Sequence, residues 1–272
     1  MDQAYNWTTA ELKALEKRIK QEYTAAYNAC KKEMSAVLAR ISEHPEWDGA
    51  RRLVEMQKYD RLDKLSAQMA DTIENANTEA VKYIKGESVN VFRYNYNWQA
   101  DKLGFDIIDN TAAKNIISGI SNPFTKLSYE GLKDVAAVRR SLESELISGL
   151  LKGEGIRDIA KRIKTVTERP LKECVRIART ETTYAQNSAR QSVGEQGKKL
   201  GFKMLKEWRA TEDARTRSAH LVADGQRVPV DDPFIVGGEE LMFPADFSLG
   251  ASPENTVNCR CTVVYVIDEG DK

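Results

Sequence analysis

Apolar side chains recur every three or four positions from Leu12 through Leu15, Ile19, Tyr23, Ala26, Cys30, Met34 and Leu38 to Ile41, and that spacing dictates a helix. Its N-cap is expected at Thr8 or Thr9. His44-Pro45-Glu46-Trp47-Asp48-Gly49 breaks the pattern, because a proline disfavours helical geometry at the residue before it. A second stripe runs through Leu62, Leu65, Met69, Ile73, Ala76, Ala80 and Ile84 and is expected to stop at Gly86. Two helices of about 35 residues at 1.5 Å rise would each be about 50 Å long, which suits an antiparallel hairpin serving as a docking arm. An ordinary helical bundle would carry the same stripes.

Residues 88–128 hold Phe92, Tyr94, Tyr96, Trp98, Phe105 and Phe124 among turn residues and read as a connector, with one short helix from about Thr111 to Gly119. Helical spacing resumes at Leu132, Val135, Val138, Leu142, Leu146 and Leu150. Ile156, Ile159, Ala160 and Ile163 form a shorter amphipathic helix, and a further one is expected to begin after Pro170 and reach about Gly197. From residue 201 glycine, proline and β-branched residues mark a small mixed region, with Asp224-Gly225 as a turn and TVVYVI (262–267) as a strand. The fold class is therefore mainly α with a small α+β C-terminal domain and a long N-terminal antiparallel helical hairpin. The expected divisions are an arm over 1–87, a connector over 88–128 and a domain over 129–272, itself helical over 129–200 and mixed over 201–272.

The chain has 272 residues, 41 basic and 41 acidic side chains and a mean hydropathy of −0.53, values of a folded globular protein. No apolar stretch approaches the roughly 18 residues of a membrane span, and the N-terminus lacks a signal-peptide pattern, so synthesis in a cytoplasm is expected. The charge is segregated. Residues 1–128 carry 18 basic and 18 acidic side chains, 129–209 carry 18 and 11, and 210–272 carry 5 and 12. Within the basic segment Arg139, Arg140, Lys161, Arg162, Lys164, Arg176, Lys198 and Lys199 are candidate contacts for the phosphates of double-stranded DNA. Solvated helix faces explain the same charges.

Cys30, Cys174, Cys259 and Cys261 are too few for a disulfide framework and read as reduced thiols. Cys259-Arg260-Cys261 enters a strand, where alternation puts both thiols on one face, about 7 Å apart at the Cα atoms. His220 is the natural third ligand of a zinc ion, and Asp224 or a water the fourth. Small buried thiols beside a hydrogen-bonded core histidine would leave the same trace. Asp213 reads as a cap facing Arg217, and Arg179 within Arg179-Thr180-Glu181-Thr182 as a packing contact. No nucleophile elbow, P-loop or dinucleotide-binding motif is present, so no enzyme is expected.

Arg179, Thr180, Glu181, Asp213, Arg215, Thr216, His220, Asp224, Gly225 and Asn258-Cys259-Arg260-Cys261 stand in an order that resembles the phage minor head, or head morphogenesis, family typified by phage Mu protein F. The resemblance covers about residues 130–267. It implies a virion component of the phage head interior, bound to the portal protein or the major capsid protein, acting in head assembly and genome packaging or delivery, with DNA as a further partner and no catalytic activity. The alternative is a metal-dependent enzyme, such as a nuclease or injected effector, using His220, Cys259 and Cys261 around an open metal position.

Overall fold

A computed structural model describes residues 1–120 and 122–268; the last four residues of the C-terminal segment lie outside it. The helices are α1 (Gln3–Ser42), α2 (Gly49–Gln57), α3 (Arg61–Leu103), α4 (Asn110–Ser118), α5 (Pro123–Leu132), α6 (Val135–Leu151), α7 (Ile156–Lys199), α8 (Ser218–Val222) and α9 (Pro253–Thr256). The strands are β1 (Met204–Arg209), β2 (Arg227–Pro229), β3 (Phe234–Val236), β4 (Glu239–Leu241) and β5 (Thr262–Ile267). The protein is thus mainly helical, with a long N-terminal helical region and a small C-terminal α+β part.

Three helix bounds differ from those the spacing suggests. α1 starts before Thr8 because the Asp2 carboxylate accepts the Tyr5 N–H at 2.8 Å. Thr8 is buried and accepts from Asn95 at 2.8 Å instead of capping. α3 runs through Gly86 to Leu103, since a mid-helix glycine costs about 1 kcal/mol and the buried stripe Val91, Phe92, Tyr96 and Ala100 outweighs it. α7 is one helix with Pro170 inside it, its apolar stripe continuing from Ile163 to Cys174, Ile177 and Ala178 across the missing N–H.

Contacts divide the chain into two compact units. One comprises residues 17–82 and 128–175. Its core joins Cys30, Met34 and Leu38 of α1 with Leu65, Met69 and Ile73 of α3, Leu142 and Leu146 of α6, and Ile159 and Ile163 of α7. Tyr23 meets Asn77 at 2.5 Å and Cys30 meets the Met69 carbonyl at 3.7 Å, so α1 and α3 run antiparallel here. Gly149 lets α7 approach α6, because an added Cβ would sit 2.7 Å from Ile159 Cγ1.

The other unit comprises residues 1–16, 83–127 and 176–272. Its three-stranded antiparallel sheet has the order β2–β1–β5, and β3 pairs with β4. Met204, Lys206 and Trp208 alternate inward from β1 with Val263 and Tyr265 from β5. The C-terminal part of α7 lies against the sheet, and its polar side chains serve the edge of β5. Asn187 Oδ1 accepts the Val263 N–H at 3.0 Å, and Arg190 donates to the Val263 carbonyl at 3.0 Å. Arg190 is fully buried, its charge matched by a two-point pair with Asp2 at 2.8 and 2.9 Å.

Candidate metal centre

The Asp224-Gly225 turn, with Gly225 at φ +74°, folds the chain back so that Gly225 N–H bonds the Trp208 carbonyl at 2.9 Å. This sets the short α8 against β1, where Trp208 meets the His220 ring edge-on at 5.5 Å between centroids. On the opposite side Asn258 adopts φ +56°, a left-handed conformation that asparagine tolerates better than most residues. That bend delivers Cys259 and Cys261 to His220. The three side chains are buried, and their ligand atoms all lie within 4.8 Å of one another.

Hydrogen bonds fix the histidine tautomer. Asn255 Nδ2 donates to Glu239 Oε2 at 2.6 Å and to the Val236 carbonyl at 3.2 Å, both obligate acceptors. Asn255 Oδ1 therefore faces His220 Nε2, 3.3 Å away, and that nitrogen must carry the proton. Nδ1 is left facing Cys261 Sγ at 3.3 Å and Cys259 Sγ at 3.7 Å. With zinc–sulfur and zinc–nitrogen bonds of about 2.3 and 2.0 Å, tetrahedral angles put nitrogen and sulfur about 3.5 Å apart, a value these distances bracket. The chain Glu239–Asn255–His220 is the outer support that a metal-bound imidazole requires.

The two thiols are electrostatically distinct. Hydrogen bonding from Cys261 outweighs burial and, with the charge of Arg217, holds the Cys259 thiol below its ordinary value. The hydrogen bond with Cys259, together with burial, pushes Cys261 up. All three side chains line a cleft of about 420 Å³, which gives the centre an opening in place of a fourth protein ligand.

The structure brings together three of the four metal-ligand candidates. Asp224 is not among them, because its Oδ1 accepts the Ala210 N–H at 2.7 Å and braces the strand end. Asp213 accepts the Arg215 N–H at 2.9 Å, but its ion-pair partner is Arg260, at 2.5 and 2.6 Å, rather than Arg217. The Arg260 guanidinium holds the Asp213 carboxyl well below the usual carboxylate range. Arg179 pairs with Glu16 at 2.7 Å. Sequence reasoning missed Asn255 and Glu239, since neither has a spacing relation to His220.

The candidate DNA contacts are divided between the units. In the unit containing residues 128–175, Arg139 pairs with Asp63, Lys161 with Asp158 at 2.7 Å, Arg162 with Glu154 at 2.6 Å and Lys164 with Glu168 at 3.6 Å, while Arg140 is exposed. In the other, Lys198 pairs with Asp231, and Arg176 and Lys199 are exposed.

Among the described residues no helix is long and apolar enough to cross a membrane. Residues 140–264 match the family model described as Phage Mu protein F like protein. The minor head protein GP7 of Bacillus phage SPP1 is 27% identical over 256 residues, covering 87% of this chain and 78% of that protein. A protein of Enterococcus faecalis (strain ATCC 700802 / V583) named NAD(+)--arginine ADP-ribosyltransferase EFV is 28% identical over 279 residues. That match covers 98% of this chain but 56% of the relative, so the chain spans little more than half of its length. No solved structure matches the chain. The match at residues 140–264, which takes in His220, Cys259 and Cys261, and the likeness to a phage minor head protein together support a phage head morphogenesis family.

Proposed function

We propose that the chain is a minor component of the phage head, made in the host cytoplasm and built into the virion during assembly, where α1 and α3 dock on the portal or the inner capsid surface. The observation that carries this reading is the match to a minor head protein over 87% of the chain, joined to the family match at residues 140–264. His220, Cys259 and Cys261 hold a zinc ion that ties α8 to the approach of β5, and the ion's role is structural. Genome packaging or delivery brings the head interior against DNA. Arg140 and Lys199 are the first contacts there, because the pairs at Arg139, Lys161, Arg162, Lys164 and Lys198 must exchange a carboxylate for a phosphate. Quantitative mass spectrometry of gradient-purified heads from the phage encoding this chain tests the reading. The chain is expected at a few copies per head; heads that lack it would overturn it.

A second reading is favoured by the cleft, since three protein ligands around an open position are also the pattern of catalytic zinc. A metal-dependent nuclease or injected effector needs a base, however, and the one carboxylate lining the cleft among the described residues, Glu16, is engaged by Arg179. The ADP-ribosyltransferase-named relative does not decide between the two readings, because 44% of that protein lies outside the match. We infer a non-enzymatic role. Zinc-loaded full-length chain is expected to leave single- and double-stranded DNA and RNA intact, and metal-dependent cleavage lost on His220→Ala would establish the second reading.

A further inference from the structure

The wall of the 420 Å³ cleft beyond the trio carries Lys13, Arg179, Arg215, Arg217 and Arg260 against a single acid, Glu16. Its sign runs against its surroundings, since residues 210–272 hold 5 basic and 12 acidic side chains. Two of these cations are spoken for: Arg179 is held by Glu16 at 2.7 and 3.2 Å, and Arg260 by Asp213 at 2.5 and 2.6 Å. Arg215 reaches the same Asp213 only at 3.8 Å, with its side chain 76% exposed. Among the described residues Lys13 and Arg217 make no ion pair, and Arg217 spends one N–H on the Val257 carbonyl at 2.6 Å. The cleft therefore gathers three cations that its own carboxylates leave largely unmatched, and an anion entering it would lower their mutual repulsion.

The lining also limits the anion. Leu12 is the one aliphatic side chain among the lining residues, and Thr9, Thr183, Thr211, Thr216 and Asn258 add hydroxyl and amide groups that can bond an anion's oxygens. Arginine forks match the oxygens of phosphate in pairs, and a phosphate monoester carries about −1.5 to −2 charges at neutral pH where a carboxylate carries one. Two unpaired cations and a weakly paired third balance the former.

We propose that this cleft binds a phosphate monoester group through Arg217, Lys13 and Arg215. The inference goes beyond the head-assembly reading and needs neither a metal at the trio nor incorporation into a head. The group could be supplied by a nucleic acid end, a nucleotide or free phosphate, and the experiment separates these sources. Calorimetric titration of the full-length chain at low salt would compare a 5′-phosphorylated oligonucleotide, the same oligonucleotide without its phosphate, a nucleoside 5′-monophosphate, inorganic phosphate and an acidic peptide. The phosphorylated oligonucleotide is expected to bind at least about tenfold tighter than its twin, a difference of about 1.4 kcal/mol. Equal binding of the nucleotide and of inorganic phosphate would support the site and assign free phosphate as the source. Lys13→Gln combined with Arg215→Gln, two exposed positions, is expected to weaken phosphate binding about tenfold with Tm unchanged, which keeps the test valid should Arg217→Gln fail to fold. Phosphate affinity unmoved in that double variant, no binding of any phosphate, or tighter binding of the acidic peptide would each overturn the proposal.

Discussion

At the scale of single residues, the C-terminal part is organised by polar side chains held away from water. Lys206 is fully buried in β1, donating to the Met242 carbonyl at 2.7 Å with its ammonium 5.1 Å from the Phe234 ring centroid. Burial brings its pKa down to about 8, the charges of Asp246, Glu195, Asp231 and Asp232 pulling the other way. A lysine with a depressed native value makes the unfolded chain the better proton acceptor between the two values. The Lys206 contribution to stability therefore rises as pH increases from about 8 towards 10.5, by an amount on the order of 3 kcal/mol if the shift is fully expressed, while the Cys30 and Cys174 thiols, pushed up by burial, pull the total the other way. Chemical denaturation of the wild-type chain and of Lys206→Met across that range should show the stability difference between them move by this amount in favour of the wild type; parallel pH profiles would show that the burial penalty is not expressed.

The residues of the candidate metal centre were legible in part. A C-x-C at a strand entrance and one of two histidines stood out by residue type, and strand alternation placed both thiols together. Asp224 stood out for the same reason and failed, because a carboxylate near a turn is as useful to the Ala210 N–H as to an ion. Asn255 and Glu239 were invisible because their role follows from tertiary hydrogen bonds, which leave no periodic trace.

At the scale of elements, two glycines within helices separate propensity from packing. An added Cβ at Gly194 of α7 would sit 2.4 Å from Tyr265 Cδ1, whereas at Gly86 of α3 it would meet nothing within 4 Å. Gly86→Ala should stabilise by up to about 1 kcal/mol through helix propensity. Gly194→Ala gains the same propensity but must displace a buried tyrosine, and overpacking of about 1–3 kcal/mol should reverse the sign. Thermal unfolding of the two variants decides it, and equal shifts in one direction would mean that α7 does not lie this close to β5. Arg190→Met should cost about 3–5 kcal/mol, since it strips Asp2 of its buried partner and the Val263 carbonyl of a donor. A loss below about 1 kcal/mol in denaturant unfolding would show that the pair is dispensable.

The long helices were readable because a buried face repeats every three or four residues whatever it faces. Their ends were harder. Gly86 and Pro170 are stop signals locally, and the continuing apolar stripe overrode both. The first helical turn was lost because Asp2, which accepts the Tyr5 N–H, lies ahead of the stripe that begins at Leu12.

At the scale of the whole molecule, sequence spacing identifies helices but does not say which part of a helix shares a core with which other. The two units draw on residues 1–16, 83–127 and 176–272, and on 17–82 and 128–175, so each core is assembled from segments far apart in the chain. The metal centre belongs to the first of these, where α8, α9, β4 and the approach to β5 meet. Short strands and four- or five-residue helices bury little area, and a structural ion supplies binding free energy that such elements lack. An ion held by the trio would act as a fastener there, and removing it should loosen the C-terminal part.

The zinc content of the full-length chain, purified without chelator and determined by elemental analysis, tests this most directly. The account predicts one zinc per wild-type chain and its loss in Cys261→Ala, accompanied by a fall in Tm. A wild-type chain that carries no metal and unfolds at the same temperature as Cys261→Ala would contradict it.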